Sequence, residues 1–115
     1  MIICRINMPV NDNDGVTLTS LHARLKTEIV TVFSGCTITD GQGVWYNDGV
    51  VYDEPVKIYE TAINGAKVPI IVDIAKKYAA EAGQVAVYYS IDGKVFIDYI
   101  EPPFKVQSRP SPAKP

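Results

Sequence analysis

The chain has 115 residues, with 11 Lys and Arg against 13 Asp and Glu and so a formal charge of −2. Its 47% apolar and 21% charged residues exclude a wholly disordered or collagen-like chain and suit one domain with one core. The mild negative charge excludes the electrostatic footprint of a bulk DNA or RNA binder, and two cysteines with one histidine exclude a disulfide scaffold and a Cys/His zinc centre.

Met1 to Cys4 is apolar for only four residues before Arg5, too short for the core of a signal peptide or a membrane span. Neither cysteine belongs to a CxxC pair. The expectation is a soluble cytoplasmic protein with reduced thiols, no membrane contact and no nucleic-acid partner.

Ile2 to Met8 alternates, with Ile2, Cys4 and Ile6 on one side and Ile3, Arg5 and Asn7 on the other, which predicts a strand ended by Pro9. Asn11 to Gly15 is a polar turn segment. Thr17 or Thr19 is placed to cap a helix whose Leu21, Leu25, Ile29, Val32 and Phe33 form one stripe, with Gly35 as its left-handed stop. The lone His22 falls off that stripe beside Arg24 and Lys26, on an expected exposed face. It is the one ready general base near neutral pH, yet no Ser or Cys is tied to it by motif.

From Thr37 the period becomes two. Gly41 and Gly43 inside this stretch predict a bulge or a close backbone approach. Asn47-Asp48-Gly49 then predicts a tight hairpin into a second long strand running to Ile63. On it Glu54 and Lys57 point to opposite faces and read first as surface charge, the alternative being a bulge at Pro55 that would let them approach each other or a ligand. Asn64-Gly65 turns the chain, and Pro69 sits where a first helical turn accepts it. Ile71, Ile74, Ala75, Tyr78, Ala79 and Ala82 keep helical spacing up to Gly83. Val85, Val87, Tyr89 and Ile91 alternate with Ala86, Tyr88 and Ser90, and Asp92-Gly93 turns into a last strand over Lys94 to Tyr99. Five of the 14 residues from Pro102 onward are proline, so residues 101–115 read as an extended tail beyond a domain of residues 1–100.

The order β-α-β-β-α-β plus one strand predicts an α+β, ferredoxin-like split βαβ sandwich, its antiparallel sheet covered by two helices on one face. The first strand is expected between the third and fourth, with the second on an edge. Cys4 and Cys36 then lie about two strand spacings apart, beyond disulfide reach.

The uncovered face decides what such a protein does. It is expected to carry Arg5, Asn7, Lys57, Tyr59 and Tyr88. Trp45 is set across the pleat from Val44 and Tyr46, and Gln42 lies at the tip of the glycine pair. Those seven residues, Arg5, Asn7, Gln42, Trp45, Lys57, Tyr59 and Tyr88, are the candidate ligand or interface positions. Such a face is too polar for a second sealed core and too aromatic for plain solvated surface, although β-propensity alone would also place tyrosines there. No catalytic set, cofactor or metal is expected. Asp40 to Gly43 lacks the phosphate-loop pattern and opens no helix, and Asn11 to Gly15 lacks the closing Glu of a calcium loop.

Asp14-Gly15-Val16, Phe33-Ser34-Gly35-Cys36-Thr37-Ile38, Asp40-Gly41-Gln42-Gly43-Val44-Trp45, Asp48-Gly49, Glu54 with Lys57, and Tyr78 with Gly83-Gln84 together resemble one family of small bacterial proteins known as a domain of unknown function. The D-G-Q-G-x-W element is the most specific part. The resemblance spans about residues 1–100 and implies a ferredoxin-like fold, with no established activity.

Three functions remain open on the sequence. One is a non-enzymatic small-ligand or protein-binding module, dimeric through its sheet and acting through the open face or an edge strand. Another is a small dimeric α/β-barrel enzyme, an isomerase, monooxygenase or lyase on a hydrophobic ring substrate. In that case Arg5 or Lys57 would stabilise an anion and Tyr59, Tyr88 or His22 would move a proton. The last is a phage or mobile-element accessory protein that inhibits a host factor.

Overall fold

The computed structural model describes residues 1–100; the Pro-rich tail expected over 101–115 lies outside the described residues. In chain order the elements are β1 (Ile2–Pro9), α1 (Thr19–Phe33), β2 (Thr37–Asn47), β3 (Val50–Ile63), a short 3-10 turn (Gly65–Lys67), α2 (Val68–Glu81), β4 (Ala86–Ile91) and β5 (Lys94–Tyr99). The five strands form one antiparallel sheet in the order β2-β3-β1-β4-β5. This is the ferredoxin-like α+β sandwich with an added C-terminal strand, and β1 lies between β3 and β4 as the topology requires. No helix among the described residues is long and apolar enough to cross a membrane.

Both tight turns form as their residues dictate. Asp48 and Gly49 take φ of 52° and 79°, and Asp92 and Gly93 take 51° and 84°, the positive pairs that match hairpin twist. Gly83, at φ 76°, follows the last turn of α2. The α1 ends differ from expectation. Its stop is Ser34, at φ 77° with its N–H on the Val30 carbonyl, and Gly35 stays out of the left-handed region. Leu18 holds the N-cap position without a side-chain hydrogen bond, so neither Thr17 nor Thr19 caps the helix.

The core is one layer between helices and sheet. Leu21, Leu25, Ile29 and Phe33 of α1 meet Ile71, Ile74, Ala75, Tyr78 and Ala79 of α2 over Cys4, Ile6 and Met8 of β1, Tyr59 and Ile63 of β3, and Val87 and Tyr89 of β4. Cys4 is buried, Cys36 is half-buried, and both are free. Burial raises the thiol pKa of each, which keeps them protonated and poorly nucleophilic.

The bulge expected at Gly41 and Gly43 is absent, and Pro55 introduces none. All eleven residues of β2 pair consecutively with β3, from Thr37 opposite Glu60 to Asn47 opposite Val50. Instead, Gly41 and Gly43 leave room for their neighbours. A Cβ on Gly41 would stand 3.1 Å from Ile58 Cδ1 and 3.3 Å from Val56 Cγ2, and one on Gly43 would stand 3.3 Å from Val56 Cγ1. Pro55 fits without a bulge because its carbonyl points toward β1, accepting from Val10 N–H at 3.1 Å. In an antiparallel strand its missing N–H points the same way, and β1 pairing begins only at Val56. Glu54 and Lys57 therefore stay on opposite faces.

Candidate functional site on the uncovered sheet face

Cross-strand register assigns each candidate to a face, since directly opposed residues point the same way. Ile6 stands opposite Tyr59 and Tyr89, and Met8 opposite Lys57. Because Ile6 and Met8 are buried under the helices, Tyr59 and Lys57 belong to the helix side. This reverses the expectation for both residues. The physical reason is the other parity, which would have put Glu60 under the helices without a charge partner, a far costlier burial than a hydrogen-bonded tyrosine. On the outer face Glu60 instead pairs with Arg5, Oε1 to Nε, at 2.7 Å.

Tyr59 is 1% exposed, and its hydroxyl lies 2.5 Å from His22 Nδ1. His22 Nε2 lies 2.7 Å from the Pro9 carbonyl, which can only accept, so Nε2 carries the proton and Nδ1 accepts from Tyr59. The rings also stack, with centroids 5.8 Å apart. Burial lowers the His22 pKa, with Lys57 adding to the effect against the Pro9 bond, and burial pushes the Tyr59 phenol strongly up. The lone imidazole is thus a neutral bridge between α1, β1 and β3 rather than an exposed base. Nearby on the same side, Lys57 Nζ lies 2.6 Å from Asp40 Oδ1, and Gln42 Nε2 donates to the Asp53 carboxylate at 2.6 and 2.8 Å. Gln42, Lys57 and Tyr59 are therefore set apart from the other four candidates.

Arg5, Asn7, Trp45 and Tyr88 do lie on the uncovered face. At its centre, on β1, Asn7 stands between Ile58 of β3 and Tyr88 of β4. One pleat along, about 7 Å away, Arg5 stands between Glu60 and Ser90. Asn7, Tyr88, Ile58 and Glu60 are half-buried, and the Arg5 side chain is 51% exposed. Glu60 is held through Arg5 Nε, and the two terminal guanidinium nitrogens make no hydrogen bond among the described residues. The Tyr88 hydroxyl likewise has no hydrogen-bond partner there. Farther out on the hairpin, Trp45 is 8% exposed and stacks on Tyr52, centroids 5.6 Å apart and 14° from parallel. Glu54 lies on the same face, opposite Gly43.

The arrangement presents a charged pair, a carboxamide and a phenol ring in one patch, with Ile58 at its β3 corner beside Asn7 and one pleat from Glu60. An arginine and a glutamate side by side complement a zwitterion, and a carboxamide beside an aromatic ring can read the edge and stack the face of a nucleobase. Glu60 and Ile58 were missed by sequence reasoning because their parity was assigned the other way. The signal that finds them is the rule that an unpartnered glutamate does not face a core. Among the described residues no group of three or more His, Cys, Asp or Glu could hold a metal ion.

No protein-family model matches the chain, and no curated protein matches it. Its fold is similar to that of solved structures. One is a phage SAM lyase in its apo state, with a TM-score of 0.67, 13% identity, and 87% of this chain matched to 90% of that one. Another is a phage SAM lyase in complex with S-methyl-5'-thioadenosine, with a TM-score of 0.64, 13% identity, and 85% of this chain matched to 88% of that one. At that identity the likeness shows a shared fold along nearly the whole described chain.

Proposed function

We propose that this chain binds S-adenosylmethionine on the uncovered face of its sheet and cleaves it to S-methyl-5'-thioadenosine. The reading is carried by one observation: the Arg5–Glu60 ion pair sits one pleat from Asn7 and Tyr88 on a face that the helices leave bare. The near-complete overlap in fold with a phage SAM lyase in complex with S-methyl-5'-thioadenosine supports it.

The ligand has matching parts. Its amino-acid end is a zwitterion, for which Arg5 supplies a guanidinium and Glu60 a carboxylate. Its adenine meets the Asn7 carboxamide and the Tyr88 ring, and Ile58, beside Asn7 and one pleat from Glu60, offers the methylthio centre an apolar contact. Cleavage breaks the bond from sulfur to the Cγ of the four-carbon group. Sulfur keeps the electron pair and becomes a neutral thioether. The four-carbon fragment is completed either by its own carboxylate closing on Cγ or by loss of a Cβ proton to solvent water. The reaction removes a positive charge at sulfur, so an apolar surround such as Ile58 favours the transition state over the hydrated sulfonium. Such an activity would suit a phage or mobile-element accessory protein.

Incubating the full chain with S-adenosylmethionine and following S-methyl-5'-thioadenosine by chromatography and mass spectrometry tests the proposal. Product should form with the wild-type chain and fall at least tenfold with Arg5→Ala and with Tyr88→Ala. By calorimetry, Arg5→Ala should weaken S-adenosylmethionine binding while sparing S-methyl-5'-thioadenosine, which lacks the zwitterion; Tyr88→Ala should weaken both. Neither binding nor product from the folded wild-type chain would overturn it. A second reading, binding without turnover, is favoured by the withdrawal of the one imidazole into its Pro9–Tyr59 bridge. Tight binding with no product would select that reading.

A further inference from the structure

We propose that β2 is a docking edge for a second copy of this chain, the two β2 strands pairing antiparallel about a twofold axis at Gly41. This goes beyond the ligand reading and stands independently of it. The sheet has two edges, and they differ. At one, β5 is six residues long and carries Lys94 and Asp98, the short and charged form that resists further pairing. At the other, β2 runs for eleven residues with no proline, no lysine and no bulge, and its ladder to β3 is unbroken. In such a strand every second residue turns its N–H and C=O away from its neighbour, toward the open edge. Among the described residues no strand occupies that side.

The occupant follows from self-complementarity. Two copies related by an axis normal to the sheet keep each side chain on its own face, so a residue pairs only with one of the same parity. Centring the axis on Gly41 sets Ile38 opposite Val44, Asp40 opposite Gln42, Thr39 opposite Gly43, and Thr37 opposite Trp45. Centring on Asp40 opposes two carboxylates, and centring on Gln42 sets Asp40 against Val44. Of these three registers, the one centred on Gly41 gives each of these residues an acceptable partner. It also covers Val44, which is 59% exposed, and brings the partner chain alongside Tyr46, which is 70% exposed. Space permits the approach, because the buried helix core sits over β1, β3 and β4 and takes only Ile38 of β2 at its margin. A ten-stranded sheet results, with all four helices on one side and both uncovered faces continuous on the other.

The test uses the full chain in a Cys36→Ser background. Asp40→Cys and Gln42→Cys variants are oxidised mildly, separately and as an equal mixture, and run without reductant. The register predicts several-fold more crosslinked dimer in the mixture than in either variant alone, each dimer containing one of each chain. Light scattering of the unaltered chain should give twice 12.6 kDa, and Val44→Lys should return it to one copy. A monomer at about 100 μM, a dimer that survives Val44→Lys, or crosslinking no greater in the mixture than alone would each overturn the proposal.

Discussion

Tyr88 and Tyr89 are chain neighbours with the same side chain on opposite faces of one strand. Tyr89 is 5% exposed, stacks on Phe96 and donates its hydroxyl to Asp98 Oδ2, the same oxygen that lies 3.6 Å from Lys76 Nζ. Tyr59 and Tyr78 repeat the pattern on the helix side. The Tyr59 hydroxyl is engaged by His22, and the Tyr78 hydroxyl donates to Glu28 at 2.8 Å, with burial first and Glu28 second pushing its pKa up to about 12. Tyr88, half-buried on the uncovered face, makes no such bond among the described residues. The tyrosines on the helix side, Tyr59, Tyr78 and Tyr89, are structural, each hydroxyl locked to a partner, whereas Tyr88 on the other side keeps its hydroxyl available. The helices cause the difference: a phenol that loses water must find a hydrogen bond, while one that keeps it need not.

The sharpest way to break the comparison is to remove groups from each side. Leu25→Ala, at 0% exposure, should lower stability by about 2–5 kcal/mol, seen as a lower denaturant midpoint. Tyr59→Phe should follow at about 1–3 kcal/mol, since it leaves a half-buried His22 Nδ1 without its donor. Tyr88→Phe and Arg5→Ala should each stay within about 1 kcal/mol of wild type by the same measurement. A large loss at Tyr88 would show that this face is structural after all.

A pH series sharpens it further. The folded His22 pKa is lowered below its ordinary 6.5, so above 6.5 both folded and unfolded chains hold it neutral. Below 6.5 the unfolded chain takes up the proton first, and stability falls until pH passes the folded pKa. The denaturant midpoint should therefore drop from pH 7.5 to pH 5, and His22→Asn should flatten that part of the slope. The smallest effect is expected at Gly41→Ala. Its new methyl meets Ile58 Cδ1 at 3.1 Å and Val56 Cγ2 at 3.3 Å, side-chain methyls that need give by only a few tenths of an ångström, so stability should change by less than about 1 kcal/mol.

Much of the fold was legible because it rests on local signals. Leu21 to Phe33 mark a helix stripe, Asp48-Gly49 and Asp92-Gly93 demand positive φ, and Pro69 opens a helix. Element order then leaves one sheet topology. What was not legible depends on contacts distant in sequence. Both sides of β3 carry apolar residues, Val56 and Ile58 on one and Tyr59 and Ile63 on the other, so periodicity alone does not choose its inward face. The choice is made by His22, 37 residues before Tyr59, and by Arg5, which takes Glu60 outward. That one parity moved Lys57 and Tyr59 out of the candidate site and brought Glu60 and Ile58 in. The glycines misled for a similar reason: their role is to admit Val56 and Ile58 from the neighbouring strand, which no local pattern reveals.

An NMR titration of the full chain with S-methyl-5'-thioadenosine compares the two faces in one experiment. The account predicts shifts concentrated at the Asn7 side-chain amide and at Tyr88 and Ile58, with His22 and Tyr89 unmoved. Shifts centred on His22 and Tyr59, or none at millimolar ligand, would contradict it.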